Sequence, residues 1–80
     1  MEGKDKTPKE KLLEAARLND IGSTIAEEAL SFLERAFLAS GNNKIAYKFI
    51  YSKLLEASIE FTTEANRLRS EAKDDVDQEK

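Results

Sequence analysis

The chain has no cysteine, no histidine and no tryptophan, and only one proline and three glycines among its 80 residues. Each absence removes a piece of chemistry. Without cysteine or histidine there is no disulfide, no thiolate or imidazole nucleophile, no imidazole acid–base catalyst and no structural zinc site. The lack of cysteine also suits a reducing compartment, and we expect a cytoplasmic protein. No apolar run approaches the roughly 18 residues that span a bilayer, and the N-terminus is polar rather than signal-like, so no membrane insertion is expected. Gly3, Gly22 and Gly41 stand singly, which leaves no glycine-rich phosphate loop. No cofactor, metal or small-molecule substrate is expected, and we read the chain as not an enzyme.

What is present is charge and helix. The formal net charge is -3, and it is unevenly placed. Asp74, Asp75, Asp77 and Glu79 against Lys80 account for all of it, so residues 1–73 balance at twelve basic and twelve acidic. A neutral body has no broad basic face for nucleic acid, which makes that partner unlikely. Residues 1–7 read as a disordered lead-in and 74–80 as a disordered acidic tail. Between them lies one small all-α domain, at a size where a single core supplies only a few kcal/mol and oligomerisation is a common supplement.

The longest element is a run from Asn43 to Lys73 with neither Gly nor Pro. Tyr47, Ile50, Leu54, Ala57, Phe61, Ala65, Leu68 and Ala72 recur at spacings of three and four, which predicts a long helix with a core stripe. Ser40-Gly41-Asn42-Asn43 predicts a tight turn, with Gly41 left-handed and an Asn as N-cap of the last helix. From Ile45 to Ile59 apolar residues spread nearly all the way round. Tyr51, Leu55 and Ile59 lie about 100° or more from the centre of the stripe. Either they sit between two other helices, or they meet another chain or a peptide. Lys44 and Lys48, in the first turns of this helix, oppose its dipole and could receive acidic groups of a partner.

Upstream, Thr7-Pro8 with Glu10 is a helix start: an N-cap, a proline at the first helical position and a capping box. A first helix is expected over 8–18, with Leu12, Leu13, Ala15 and Ala16 as its apolar face. Its stripe is out of phase by roughly 130° with the next one, centred near Ala29 and Leu33. Gly22, and a second capping box at Thr24 and Glu27, add to the case for a break at residues 19–23. The alternative is one long bent helix. The middle helix, 24–39, has Ala29 and Ala36 at the centre of its face, with Leu30, Leu33 and Phe37 on one side and Ile25 and Phe32 on the other. Small residues between large ones let a neighbouring backbone approach closely. The expected fold is a small three-helix bundle, or a bent helical hairpin, with a long C-terminal helix.

Glu56, Glu60 and Glu64 share a face at i, i+4 spacing, but Lys53 and Arg67 border it, so we read a solvated charge strip rather than a metal or acid–base site. Glu27-Glu28-Ala29-Leu30-Ser31-Phe32-Leu33-Glu34-Arg35-Ala36-Phe37 is similar to the second-helix pattern of the MIT (microtubule-interacting and transport) domain family. Phe61-Thr62-Thr63-Glu64-Ala65-Asn66-Arg67-Leu68 resembles that family's third-helix pattern. The resemblance implies a peptide-docking module whose grooves beside the third helix receive amphipathic peptides; no contact residue is carried over from it. Two main functional classes follow, with a nucleic-acid-associated small protein as a weaker third. One is a protein-interaction (adaptor) module that docks a partner helix on Tyr51, Leu55 and Ile59, with Lys44 and Lys48 beside them. The other is a self-associating structural protein, in which two copies form a homodimeric bundle through the same surface.

Overall fold

The computed structural model describes residues 6–78. They form two helices joined by a tight turn: α1, Pro8–Leu38, and α2, Gly41–Asp77. Thr7 caps α1 in the expected way. Its hydroxyl accepts from the Glu10 backbone N–H at 3.1 Å, and the Glu10 carboxylate accepts from the Thr7 backbone N–H at 2.9 Å. The chain then reverses over Ala39 and Ser40, both extended, into Gly41 at φ +63°. Glycine alone adopts that angle without a Cβ penalty. Ser40 occupies the N-cap position of α2 with no side-chain hydrogen bond, and Asn42 and Asn43, expected to supply the cap, lie within the first turn.

Two helices form: the structure is the hairpin alternative and not the three-helix bundle. α1 runs without interruption through Asn19-Asp20-Ile21-Gly22-Ser23, so the short helices over 8–18 and 24–39 are one element. The phase mismatch is resolved by burying only small members of each stripe, Ala15 of the first and Ala29 and Ala36 of the second. The buried positions of α1 are Ala15, Gly22, Ala29 and Ala36, each seven residues from the next. Leu12 and Leu13, the expected face of the first helix, are left 49% and 62% exposed. Thr24 does not start a helix; its hydroxyl donates to the Asp20 carbonyl one turn back.

α2 repeats the pattern with Ser58, Ala65 and Ala72, also seven apart, with Leu68 buried beside them. Seven-residue spacing keeps one seam of each helix facing the other as they wind together. Ala15, Ala65 and Leu68 form one buried cluster, with Leu18 packed against it. At the next level, the Ser58 hydroxyl donates to the Gly22 carbonyl across the seam at 2.8 Å. A Cβ on Gly22 would lie 3.0 Å from Thr62 Cγ2, 3.2 Å from the Ser58 carbonyl oxygen and 3.4 Å from Phe61 Cβ. Gly22 is therefore a point of backbone contact and not a helix breaker. The cost of glycine inside a helix, about 1 kcal/mol, is offset by that close approach.

Ion pairs hold the end away from the turn. Lys11 donates to Asp75 at 2.7 Å and lies 3.5 Å from Glu71. On one helix, Arg67 bonds Glu64 and Glu71; Lys6 bonds Glu14 one element-end away. α2 thus continues past Lys73, where its end is expected, and Asp74–Asp77 of the expected acidic tail are helical. Residues 1–5 of the expected lead-in, and 79–80 of that tail, lie outside the described residues. The hairpin is long and thin, 60 × 21 × 14 Å, with a radius of gyration of 17.6 Å; a globular chain of this length would have roughly 12 Å.

Two outcomes are expected from denaturation followed by circular dichroism. Ser58→Ala should cost about 1 kcal/mol through the lost inter-helix hydrogen bond. Gly22→Val, which forces a branched side chain against the Ser58 carbonyl, should cost about 2 kcal/mol or more. A Gly22→Val protein as stable as the parent would contradict the contact.

The ion pairs set a pH dependence. Hydrogen bonds from Lys6 and from Arg67 hold the Glu14 and Glu64 carboxyls below their ordinary 4.5. Their stabilisation is complete above that value and is lost as pH falls through the lowered one. The hydrogen bond to Asp75 raises the Lys11 ammonium above its ordinary 10.5, so its contribution is complete below 10.5 and is lost as pH rises through the raised value. The melting temperature should therefore be flat near neutrality and fall on both sides. Lys11→Met should abolish the alkaline fall and leave the acid one.

Candidate functional site

No large side chain among the described residues is fully buried. The seam admits only small residues, so the bulky ones are displaced to its flanks. On α1, Ala26, Leu30, Leu33 and Phe37 recur at steps of four, three and four. On α2, Lys44, Lys48, Tyr51, Leu55 and Ile59 recur at steps of four and three. Such steps make a single stripe on each helix. Because the helices reverse at Gly41, the two stripes run side by side along one face of the hairpin.

Near the turn this face is indented by a groove of about 180 Å3, lined by Leu33, Ala36, Phe37, Lys44 and Lys48. Ala36 is its buried floor. Phe37 stands on one wall, 77% exposed, and Leu30 and Ile59 further along are 57% and 55% exposed. Tyr51 and Leu55 are half-buried against the seam. The volume is below the range of small-molecule pockets. Farther from the turn the same face becomes more polar, with Asn19 and Ser23 on α1 and Asn66, Arg69 and Lys73 on α2, before exposed Leu12 and Val76 at the far end.

The charge at the groove has one sign. The first turn of α2 contains no acidic residue to oppose Lys44, and neither Lys44 nor Lys48 forms an ion pair with another described residue. Both ammonium groups add to the positive end of the helix dipole, and that end of the groove is suited to a carboxylate. A second shallow groove, about 190 Å3, lies between Leu18, Phe61, Glu60 and Glu64. It is on the opposite side of the seam and is walled by acidic residues. The aromatic pair Phe32 and Tyr47, ring centroids 6.1 Å apart, also lies off the first face, with the Arg35 guanidinium 4.7 Å from the Phe32 ring centre.

All five residues singled out in the sequence thus fall on one face. What the sequence reading missed is the other wall. It places Leu30, Leu33 and Phe37 at the edge of a core face, because it supplies a third helix to cover them. The spacing that groups them with Ala26 was present in the sequence all the same. Among the described residues no group of three or more His, Cys, Asp or Glu is placed to hold a metal ion, and no helix is long and apolar enough to cross a membrane. No family model, no curated protein and no solved structure matches the chain.

Proposed function

We propose that this chain is a non-enzymatic helix-docking module, in which the face formed by Leu30, Leu33 and Phe37 of α1 and Tyr51, Leu55 and Ile59 of α2 takes up an amphipathic helix from outside the chain. The observation that carries the reading is the open apolar groove beside the turn, with unpaired Lys44 and Lys48 on its rim. Apolar positions of an incoming helix at i, i+3 and i+4 fit between the two stripes as the ridges of one helix fit the groove of two others. An acidic residue on that helix pairs with the lysines and sets its direction.

Occupancy of this face is measurable whatever the helix belongs to. A fluorescein-labelled synthetic helix of Leu, Ala and Glu with one apolar stripe is titrated with the chain, and self-association is followed in parallel by sedimentation equilibrium. At least one of the two should occur. Phe37→Asp should abolish whichever does, with helical content unchanged, because Phe37 is exposed in the isolated hairpin. A chain that neither binds the labelled helix nor associates with itself removes the reading.

A further inference from the structure

We infer that the helix docked on this face is supplied by a second copy of the chain, and that two hairpins pack face to face, turns at the same end, as a four-helix bundle. The inference rests on the docking reading and names its occupant. Three observations carry it.

The first is surface. The chain exposes 5901 Å2, about 1,000 Å2 more than the roughly 4,900 Å2 of a compact monomer of its 9.0 kDa mass. A stable interface buries about 800 Å2 on each partner, and the 60 × 21 Å face of the elongated hairpin is large enough to supply it. Two helices are also a single layer, and a domain core forms between two layers. A second hairpin provides the missing layer with no further sequence.

The second is where the apolar surface lies. Its continuous part lies in the half of the face nearest the turn, from Ala26 to Phe37 and from Tyr51 to Ile59, while the other half carries Asn19, Ser23, Asn66, Arg69 and Lys73 and is apolar only toward its far end, at Leu12, Ala16 and Val76. A symmetric dimer with turns at opposite ends sets the apolar half of each copy against the polar half of the other. With the turns at the same end, apolar half meets apolar half, and the two-fold axis runs along the helices. Each α1 then lies over the α2 of the other copy.

The third is charge. In that arrangement the outer edge of α1 near Glu34 comes to the level of Lys44 and Lys48 on the second copy. Glu34, like the two lysines, is exposed and forms no ion pair with another described residue. The lysine stems cover the apolar groove while their ammonium groups reach the rim, where Glu34 of the second copy stands. By symmetry the contact occurs twice.

The test is sedimentation equilibrium of the full chain from low micromolar to millimolar concentration, with circular dichroism on every sample. The wild type should be a dimer. Leu55→Asp should weaken it about a hundredfold, since two copies each lose a buried Leu. Glu34→Lys, at an exposed position that leaves the hairpin intact, should weaken it about fivefold. Adding Lys44→Glu and Lys48→Glu to that variant should restore it. Nitroxide labels on Asn43→Cys, in a chain with no other cysteine, should lie at a separation nearer the 21 Å width than the 60 Å length of the hairpin. A monomer that binds the labelled Leu, Ala and Glu helix overturns the second copy and keeps the docking reading. A monomer that binds nothing overturns both. A dimer indifferent to Glu34→Lys and Leu55→Asp, or with its labels far apart, overturns the arrangement.

Discussion

Two helix backbones can touch only where neither carries a large side chain, and the contact between Gly22 and Ser58 is where this chain meets that condition. The Ser58 hydroxyl reaches the Gly22 carbonyl at 2.8 Å, and the space beside Gly22 is closed to a Cβ by a backbone oxygen and two side chains. Ala15, Ala29 and Ala36 on one helix, and Ala65 and Ala72 on the other, extend the same close approach along the seam. Small side chains remove little apolar surface from water, so the seam is narrow and its own hydrophobic stabilisation is modest. Its geometric effect is larger, because it displaces every bulky residue to the flanks.

The two ends of the hairpin use those flanks differently. Away from the turn, Leu18 packs on the buried cluster of Ala15, Ala65 and Leu68, and Lys11 spans the helices to Asp75 and Glu71. That end is closed by contacts within the chain. Toward the turn, Leu30, Leu33, Phe37, Tyr51, Leu55 and Ile59 have no third helix over them among the described residues, and Lys44, Lys48 and Glu34 beside them form no ion pair with another described residue. An exposed apolar surface of this kind, rimmed by polar groups, is what the docking proposal rests on. An ion-paired end and an open apolar end are consequences of one seam placed between unlike flanks.

Gly22 shows how the same residue supports opposite structural arguments. As a local signal it weakens a helix and, with Thr24 and Glu27 following, reads as the start of another. In the hairpin it is the one residue that admits Ser58 and Phe61 from the opposite helix. Leu12 and Leu13 err in the same direction: they form a plausible face for a short helix, but once α1 is continuous its seam is determined by Ala15 and Gly22, and both leucines turn outward. The acidic stretch after Lys73 reads as a fraying end by its own charge, whereas Lys11, which precedes it by more than sixty residues, holds Asp75 in place.

Much was legible in the residues alone because it depends on neighbours in sequence. Helical spacing, the Thr7–Glu10 capping box, the turn at Gly41 and the absence of histidine and cysteine are local facts, and they determined an all-α chain without thiol or imidazole chemistry. The small-residue centre at Ala29 and Ala36, and the surplus apolar arc at Tyr51, Leu55 and Ile59, were readable for the same reason. Only the tertiary structure decided that there are two helices and not three, that Leu33 and Phe37 form the second wall of the groove, and that Lys11 meets Asp75. Each of these depends on the register between two antiparallel helices. That register is set by which small residues can lie against one another across the seam, a property of pairs far apart in the chain.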